Sequence, residues 1–159
     1  MPALPEGFSL RPGGLDDIDA LQAIERHCFR ASQSTEQYRR ELVSPQCHTL
    51  VVEFEGHVVA YAMANLVLDE AHVPSVGVAE PYRRLGLGRA LVTRLLELVQ
   101  AHGARFVYLE VRRQNRAARK LYESLGFELL SIRREYYWDP PDDGMVMRRR
   151  FDAPTPEGL

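Results

Sequence analysis

The strongest constraint on this chain lies between residues 73 and 111, where the hydrophobic period changes twice. An apolar run over residues 73–79 is interrupted by Pro74 and Gly77, and Glu80-Pro81 closes it. The period then becomes 3.6: Leu87, Leu91, Leu95, Leu98 and Val99 line one side of a helix that Gly103 ends. Residues 106–111, from Phe106 to Val111, read as a buried strand. Strand, glycine loop, helix, strand is a βαβ unit, so at least one pair of strands must be parallel. Pro74 and Gly77 mark the first of these strands as an edge, a bulge or a kink rather than a regular ladder.

The flanking sequence supplies the rest of one sheet and its helices. Residues 8–11 alternate as a short strand closed by Gly13-Gly14. Leu15, Ile18, Leu21, Ile24 and Cys28 then share one face of a helix over residues 16–29. Ser34 with Gln37 is a capping-box start for a second helix through Tyr38 and Leu42, limited by Pro45. Residues 49–54 and 57–68 are strands joined at Glu55-Gly56, a hairpin signal. Residues 115–125 form a helix stopped by Gly126, and strands at 128–137 and 145–151 flank a turn at 139–144. Residues 1–151 are expected to be one domain, and 152–159 a loose tail.

The chain has 159 residues, 45% of them hydrophobic, enough for one sizeable core. Lys plus Arg number 20 against 22 for Asp plus Glu, so no global basic field favours nucleic acid. Cys28 and Cys47 match neither a disulfide framework nor a metal spacing, and the five histidines show no ligand spacing. No metal is expected. There is no signal-like start and no apolar run of about 18 residues, so the expected location is the cytoplasm, away from membranes.

Between the irregular strand and the long helix stands Arg83-Arg84-Leu85-Gly86-Leu87-Gly88-Arg89-Ala90. Glycines at such a handover let backbone N–H groups converge on an anion. The helix dipole and the arginines favour a diphosphate there, although a tight turn alone would also need glycine. A dinucleotide fingerprint would put a third glycine where Leu91 stands, even though Glu110 lies at the distance of a ribose-binding acid. A Walker loop is excluded because no Gly-Lys-Ser/Thr follows at the required spacing.

Arg83-x-x-Gly86-x-Gly88 opening a helix is followed by Leu109-Glu110-Val111, Asn115 and Ala117-x-x-Lys120-Leu121-Tyr122-x-x-Leu125-Gly126-Phe127. This combination resembles the acetyl-CoA-binding core of the GNAT acetyltransferases. Val67 to Ala71, Leu121 to Phe127 and Ile132-Arg133-Arg134-x-Tyr136-Tyr137 are similar to the branch of that family that acts on ribosomal-protein N-termini. Two segments depart from its pattern. Phe29-Arg30-Ala31-Ser32 stands where an aromatic-proline-tryptophan segment is usual, and Asp142-Asp143-Gly144-Met145 where an acidic-alanine pair is usual.

The resemblance implies an α/β (α+β) GNAT fold: a mixed sheet of six to seven strands, splayed near its middle and flanked by about four helices. It implies acetyl-CoA as cosubstrate, with the backbone of Val76, Gly77 and Val78 along the pantetheine arm and a Val78 N–H at the thioester carbonyl. Arg84, Leu85, Gly86, Leu87, Gly88 and Arg89 would cradle the pyrophosphate, and Asn115 would bond the pantetheine or diphosphate. Glu110 takes the place of the proton acceptor, directly or through water, and Tyr122 that of the general acid. An acidic rim of Asp69, Glu70, Glu135, Asp139, Asp142 and Asp143 would meet a cationic acceptor, with Tyr136 and Tyr137 clamping its backbone. The acceptor implied first is the α-amine of a protein, perhaps a ribosomal one; an α-amine titrates near about 8 against about 10.4 for lysine and so needs less help from a base. A small amine, polyamine or antibiotic acceptor is the alternative, and a CoA-binding module without turnover is the reading from another class. The protein is expected to be a monomer or homodimer.

Overall fold

The computed structural model describes residues 4–29, 33–138 and 140–151, without the side chains of 27–29. The expectations for the segment at residues 29–32, for the Cys28 side chain, for Asp139 and for the tail at 152–159 lie outside that description. One seven-stranded sheet runs through the molecule in the order β1-β2-β3-β4-β5-β7-β6. Its strands are β1 (Phe8–Pro12), β2 (Cys47–Phe54), β3 (His57–Val67), β4 (Glu70–Val78), β5 (Phe106–Arg112), β6 (Glu128–Trp138) and β7 (Pro141–Arg150). The helices are α1 (Ile18–Phe29), α2 (Thr35–Val43), α3 (Leu87–Ala101) and α4 (Arg116–Ser124). This is the fold the family resemblance implies.

Alternation along β3 shows how two layers share the sheet. Ala60, Ala62 and Ala64 pack into a core with Leu87, Leu91, Leu95 and Val99 of α3. Tyr61 and Met63, between them in sequence, join Ile18, Leu21 and Ile24 of α1 and Tyr38 of α2 on the opposite face. The Glu55-Gly56 hairpin forms as expected, with both residues at positive φ. Ser34 Oγ accepts the Gln37 N–H at 3.1 Å and so caps α2.

Three of the boundaries that differ from the sequence reading bear on the site. The first helical segment opens as a 3-10 turn at Leu15–Asp17 before α1 begins. β4 starts at Glu70, three residues early, because Glu70 to His72 pair on both sides, with β3 and with β5. β7 starts at Pro141, so Asp142, Asp143 and Gly144 are strand rather than turn. Gly144 pairs with Arg112 of β5 and with Arg133 of β6. A Cβ at Gly144 would stand 2.8 Å from Tyr136 Cδ2, which is why glycine tolerates that crowded register.

Among the described residues only β4 and β5 run parallel, and their pairing is short: Glu70 with Phe106 through Val73 with Leu109. Beyond Val73, β4 continues on β3 as far as Val78, while β5 continues on β7 as far as Arg112. The sheet therefore forks. The register also slips between β3 and β4, where Val73 and Pro74 oppose Ala64 alone, so the irregularity foreshadowed by Pro74 is a bulge at the root of the fork.

Candidate active site

A cleft of about 180 Å³ occupies the fork, lined by Val73, Pro74, Ser75 and Val76 of β4 and by Leu109, Glu110, Val111 and Arg112 of β5. Asn115, Ala118 and Tyr122 close it from α4, and Tyr137 from β6. Of the residues singled out in the sequence, Val76, Glu110, Asn115, Tyr122 and Tyr137 thus meet in one place.

Tyr122 is buried against Phe127 with ring centroids 5.7 Å apart, and it still lines the cleft. Burial, with the nearby Tyr137 phenol second, pushes its pKa up to about 12. It therefore stays a proton donor across the physiological range. Tyr137 is likewise pushed up to about 12, by burial first and then by Tyr136, while the Arg112 guanidinium stacks 4.2 Å from its ring centroid.

Glu110 projects from β5 on the α1/α2 side, opposite to the core-facing Leu109 and Val111. His72 Nε2 lies 2.7 Å from its Oε2. This hydrogen bond, opposed by burial and helped by charge on His72 and Arg133, holds the carboxyl below its ordinary range. In the sequence His72 shows no ligand spacing. The only signal for it was strand register: His72 pairs with Tyr108, and Glu110 is two residues further along the same face of β5.

The glycine loop stands where β4 hands over to α3. Arg84 and Gly86 take positive φ, 66° and 82°, and Gly86 is the N-cap residue. Unlike α2 and α4, which are capped by Ser34 and Asn115, α3 has no side-chain cap on its first turn. Gly86 has open space around it, Leu87 points into the core, and Gly88 approaches Leu121 of α4. Leu85 is exposed, and Arg89 donates to Ser124 Oγ at 2.9 Å, which leans it toward α4. An uncapped N-terminal turn beside arginines is a cradle that fits a diphosphate, and the fork fits a slender arm leading from it.

The other assignments fall elsewhere. A Cβ at Gly77 would meet Tyr61 Cε1 at 2.7 Å and Ile24 Cγ2 at 2.9 Å, so Gly77 lets α1 and β3 close on β4. Val78 O accepts from Arg83 Nε at 3.1 Å at the end of the strand. Asp69 sits in the β3–β4 turn, its carbonyl accepting the N–H groups of Arg105 and Phe106, and Glu70 opens β4. Both stand at the closed end of the parallel pair, away from the cleft. Asp142 Oδ2 accepts the Gln114 N–H at 3.0 Å, and Asp143 Oδ1 accepts the N–H of Glu135, a positive-φ residue in a β6 bulge. These carboxylates serve the backbone, and they border an open basic hollow with Arg113, Arg116 and Arg119. Tyr136 is exposed beside Tyr137. Among the described residues no cluster of three His, Cys, Asp or Glu side chains could hold a metal.

The Tyr122 phenol and the Glu110 carboxylate thus line one cleft in a forked sheet, next to a glycine turn without a side-chain cap. Residues 18–127 match the acetyltransferase (GNAT) family, and the chain belongs to that family of N-acetyltransferases. It is 34% identical over 134 residues to a Bacillus subtilis (strain 168) protein described provisionally as a ribosomal protein bS18-alanine N-acetyltransferase, covering 84% of this chain and 89% of that one. The crystal structure of the Escherichia coli ribosomal-protein-S18-alanine N-acetyltransferase superposes with a TM-score of 0.85 at 31% identity, over 96% of this chain and 98% of that one. Arabidopsis thaliana NAA60, solved with acetyl-CoA, shares the fold alone: TM-score 0.82, 18% identity, coverage 92% and 99%.

Proposed function

We propose that this protein transfers the acetyl group of acetyl-CoA to the N-terminal α-amine of a protein, with a ribosomal protein as the favoured acceptor, in the cytoplasm. The observation that carries this reading is the convergence of Glu110 and Tyr122 on a cleft where β4 and β5 part, beside an uncapped helix start. Acetyl-CoA supplies an activated thioester carbonyl. The first turn of α3, from Gly86 to Arg89, holds the diphosphate through main-chain amides, with Arg84 adding charge. The open inner edge of β4, at Val76 to Val78, binds the arm as a strand would, and an amide near Val78 faces the reacting carbonyl.

Acceptor binding belongs to the α1/α2 face, toward which Glu110 projects. The Glu110 side of the fork removes a proton from the incoming ammonium, and Tyr122 protonates the departing sulfur from the other side. Tyr137 and the Arg112 stacked on it form the wall nearest the acceptor backbone. Similarity to the bS18-alanine enzymes supports an alanine-type N-terminus as acceptor.

The test is a thiol-release assay with acetyl-CoA against a panel of N-terminal peptides, small amines, polyamines and aminoglycosides, with Tyr122→Phe alongside. Release with N-terminal peptides, and a loss of about 10²-fold or more in kcat for Tyr122→Phe at unchanged coenzyme affinity, is the expected result. Release confined to polyamines or aminoglycosides defeats the α-amine assignment.

A further inference from the structure

A row of hydrogen bonds leads from the packing of α1 on α2 to the fork. At its inner end is Glu25 of α1. The Gln33 N–H donates to Glu25 Oε1 at 3.2 Å, and the hydroxyls of Tyr38 of α2 and Tyr61 of β3 donate to Oε2, that of Tyr61 at 3.4 Å. Both phenols belong to buried residues. Burial pushes the Glu25 carboxyl up, and the Gln33 and Tyr61 hydrogen bonds draw it back, so the converging donors favour its charged form. At the outer end the Tyr61 hydroxyl is hydrogen-bonded to Ser75 Oγ, and Ser75 lines the cleft.

The direction of the row follows from its hydrogens. An ionised carboxylate only accepts, so both phenols donate to Glu25. Tyr61 has one hydroxyl hydrogen and spends it there, so the hydrogen between Tyr61 and Ser75 belongs to Ser75. Ser75 Oγ therefore offers the cleft lone pairs alone. Such an oxygen repels a thioester carbonyl or an oxyanion, and it attracts the N–H of an ammonium or amine. Its place agrees. Ser75 shares the α1/α2 face of the sheet with Tyr61, the face toward which Glu110 projects, whereas Tyr122 comes from the side of the α3 core.

We propose that Ser75 Oγ accepts a hydrogen bond from the acceptor α-amine and so seats it at the fork, and that Tyr61 and Glu25 are positioning residues that keep the Ser75 hydrogen turned away from it. This rests on reading the fork as an N-acetyltransferase site. Ser75 takes no proton in the reaction. It holds the one N–H that stays on nitrogen into the amide product, and leaves the nitrogen lone pair free to meet the carbonyl. Glu25 itself does not line the cleft. Glu25→Gln is nearly isosteric but brings N–H donors: its amide gives a hydrogen to the Tyr61 oxygen, Tyr61 gives its own to Ser75, and the Ser75 hydrogen is released toward the incoming ammonium.

The experiment measures KM and kcat for an N-terminal peptide at saturating acetyl-CoA, and acetyl-CoA affinity by calorimetry, in full-length wild type, Ser75→Ala, Glu25→Gln and the double variant. Losing a hydrogen bond to a charged group should raise the peptide KM about 10-fold or more in Ser75→Ala, with coenzyme affinity unchanged. Glu25→Gln should raise it as well, and should add nothing in the Ser75→Ala background, because it acts through that hydroxyl. A wild-type peptide KM in Ser75→Ala, a loss of coenzyme affinity in its place, or additive effects of the two substitutions overturns the proposal and leaves the N-acetyltransferase reading standing. A wild-type protein that binds acetyl-CoA and acetylates no amine overturns both. Should either variant fail to fold, Tyr61→Phe decides, since it removes the partner that holds the Ser75 hydrogen: a raised peptide KM at unchanged coenzyme affinity supports the assignment, and an unaltered KM refutes it.

Discussion

Asp17 shows what a single carboxylate does in this molecule. It is 6% exposed, takes two hydrogen bonds from Arg11 at 2.9 and 2.8 Å, and accepts the Gly14 N–H at 2.8 Å. The Arg11 hydrogen bond, opposed by burial, draws its pKa below the ordinary value. A depressed carboxyl contributes stability that is present above its unfolded pKa of about 4 and lost as pH falls through the lower folded value. Asp17→Asn is therefore expected to lose about 1–2 kcal/mol at pH 7, with the gap to wild type closing below about pH 4. Urea titrations of both proteins at pH 7 and at a series of falling pH values check this, and a gap that does not narrow as the pH falls below about 4 shows that packing, not charge, is at stake. Nothing in the sequence pairs Asp17 with Arg11. Their meeting depends on β1 delivering Arg11 to the start of the helix, just as the meeting of His72 and Glu110 depends on register.

Elements with local signals were legible, and those defined by partners were not. Ser34 and Gln37 announce α2, and the leucines of α3 announce its buried face, because each signal closes within a few residues. The starts of β4 and β7 were hidden, since Glu70 and Asp142 to Gly144 look like turn and become strand only through neighbours on both sides. Asn115 combines both kinds of information: its Oδ1 caps α4 by accepting the Ala118 N–H at 3.1 Å, and it also lines the cleft. Two substitutions separate these roles. Asn115→Ala removes the cap and should cost about 1 kcal/mol, or roughly 2–4 °C in Tm for a chain of this size. Asn115→Asp keeps a cap and suits the helix dipole but sets a negative charge at the lip of the cleft. Its Tm should match wild type while acetyl-CoA affinity drops several-fold, as thermal melts and calorimetry would record. Unaltered affinity would remove Asn115 from the binding surface.

At the scale of the whole molecule, the fork is the feature that no single stretch of sequence contains. It arises because β4 stays with β3 and β5 stays with β7 after only four paired positions. The glycine loop and the bulge residue Pro74 hinted at where it lies, but its depth and the inward turn of Tyr122 required all of α4, β6 and β7 to be in place. Unmatched inner strand edges in mid-sheet must satisfy their polar groups with water or with a ligand, and the same holds for the uncapped start of α3. A ligand that does so couples the two halves of the sheet. Saturation with acetyl-CoA should accordingly slow amide exchange at residues 75–78 and 87–89 together, while β2 keeps its rates. Global stability should rise by about 2.7 kcal/mol at a hundredfold excess over Kd. Slowing at the helix start alone would mean that the diphosphate binds without its arm entering the fork, and then Glu110 and Tyr122 would have no thioester within reach.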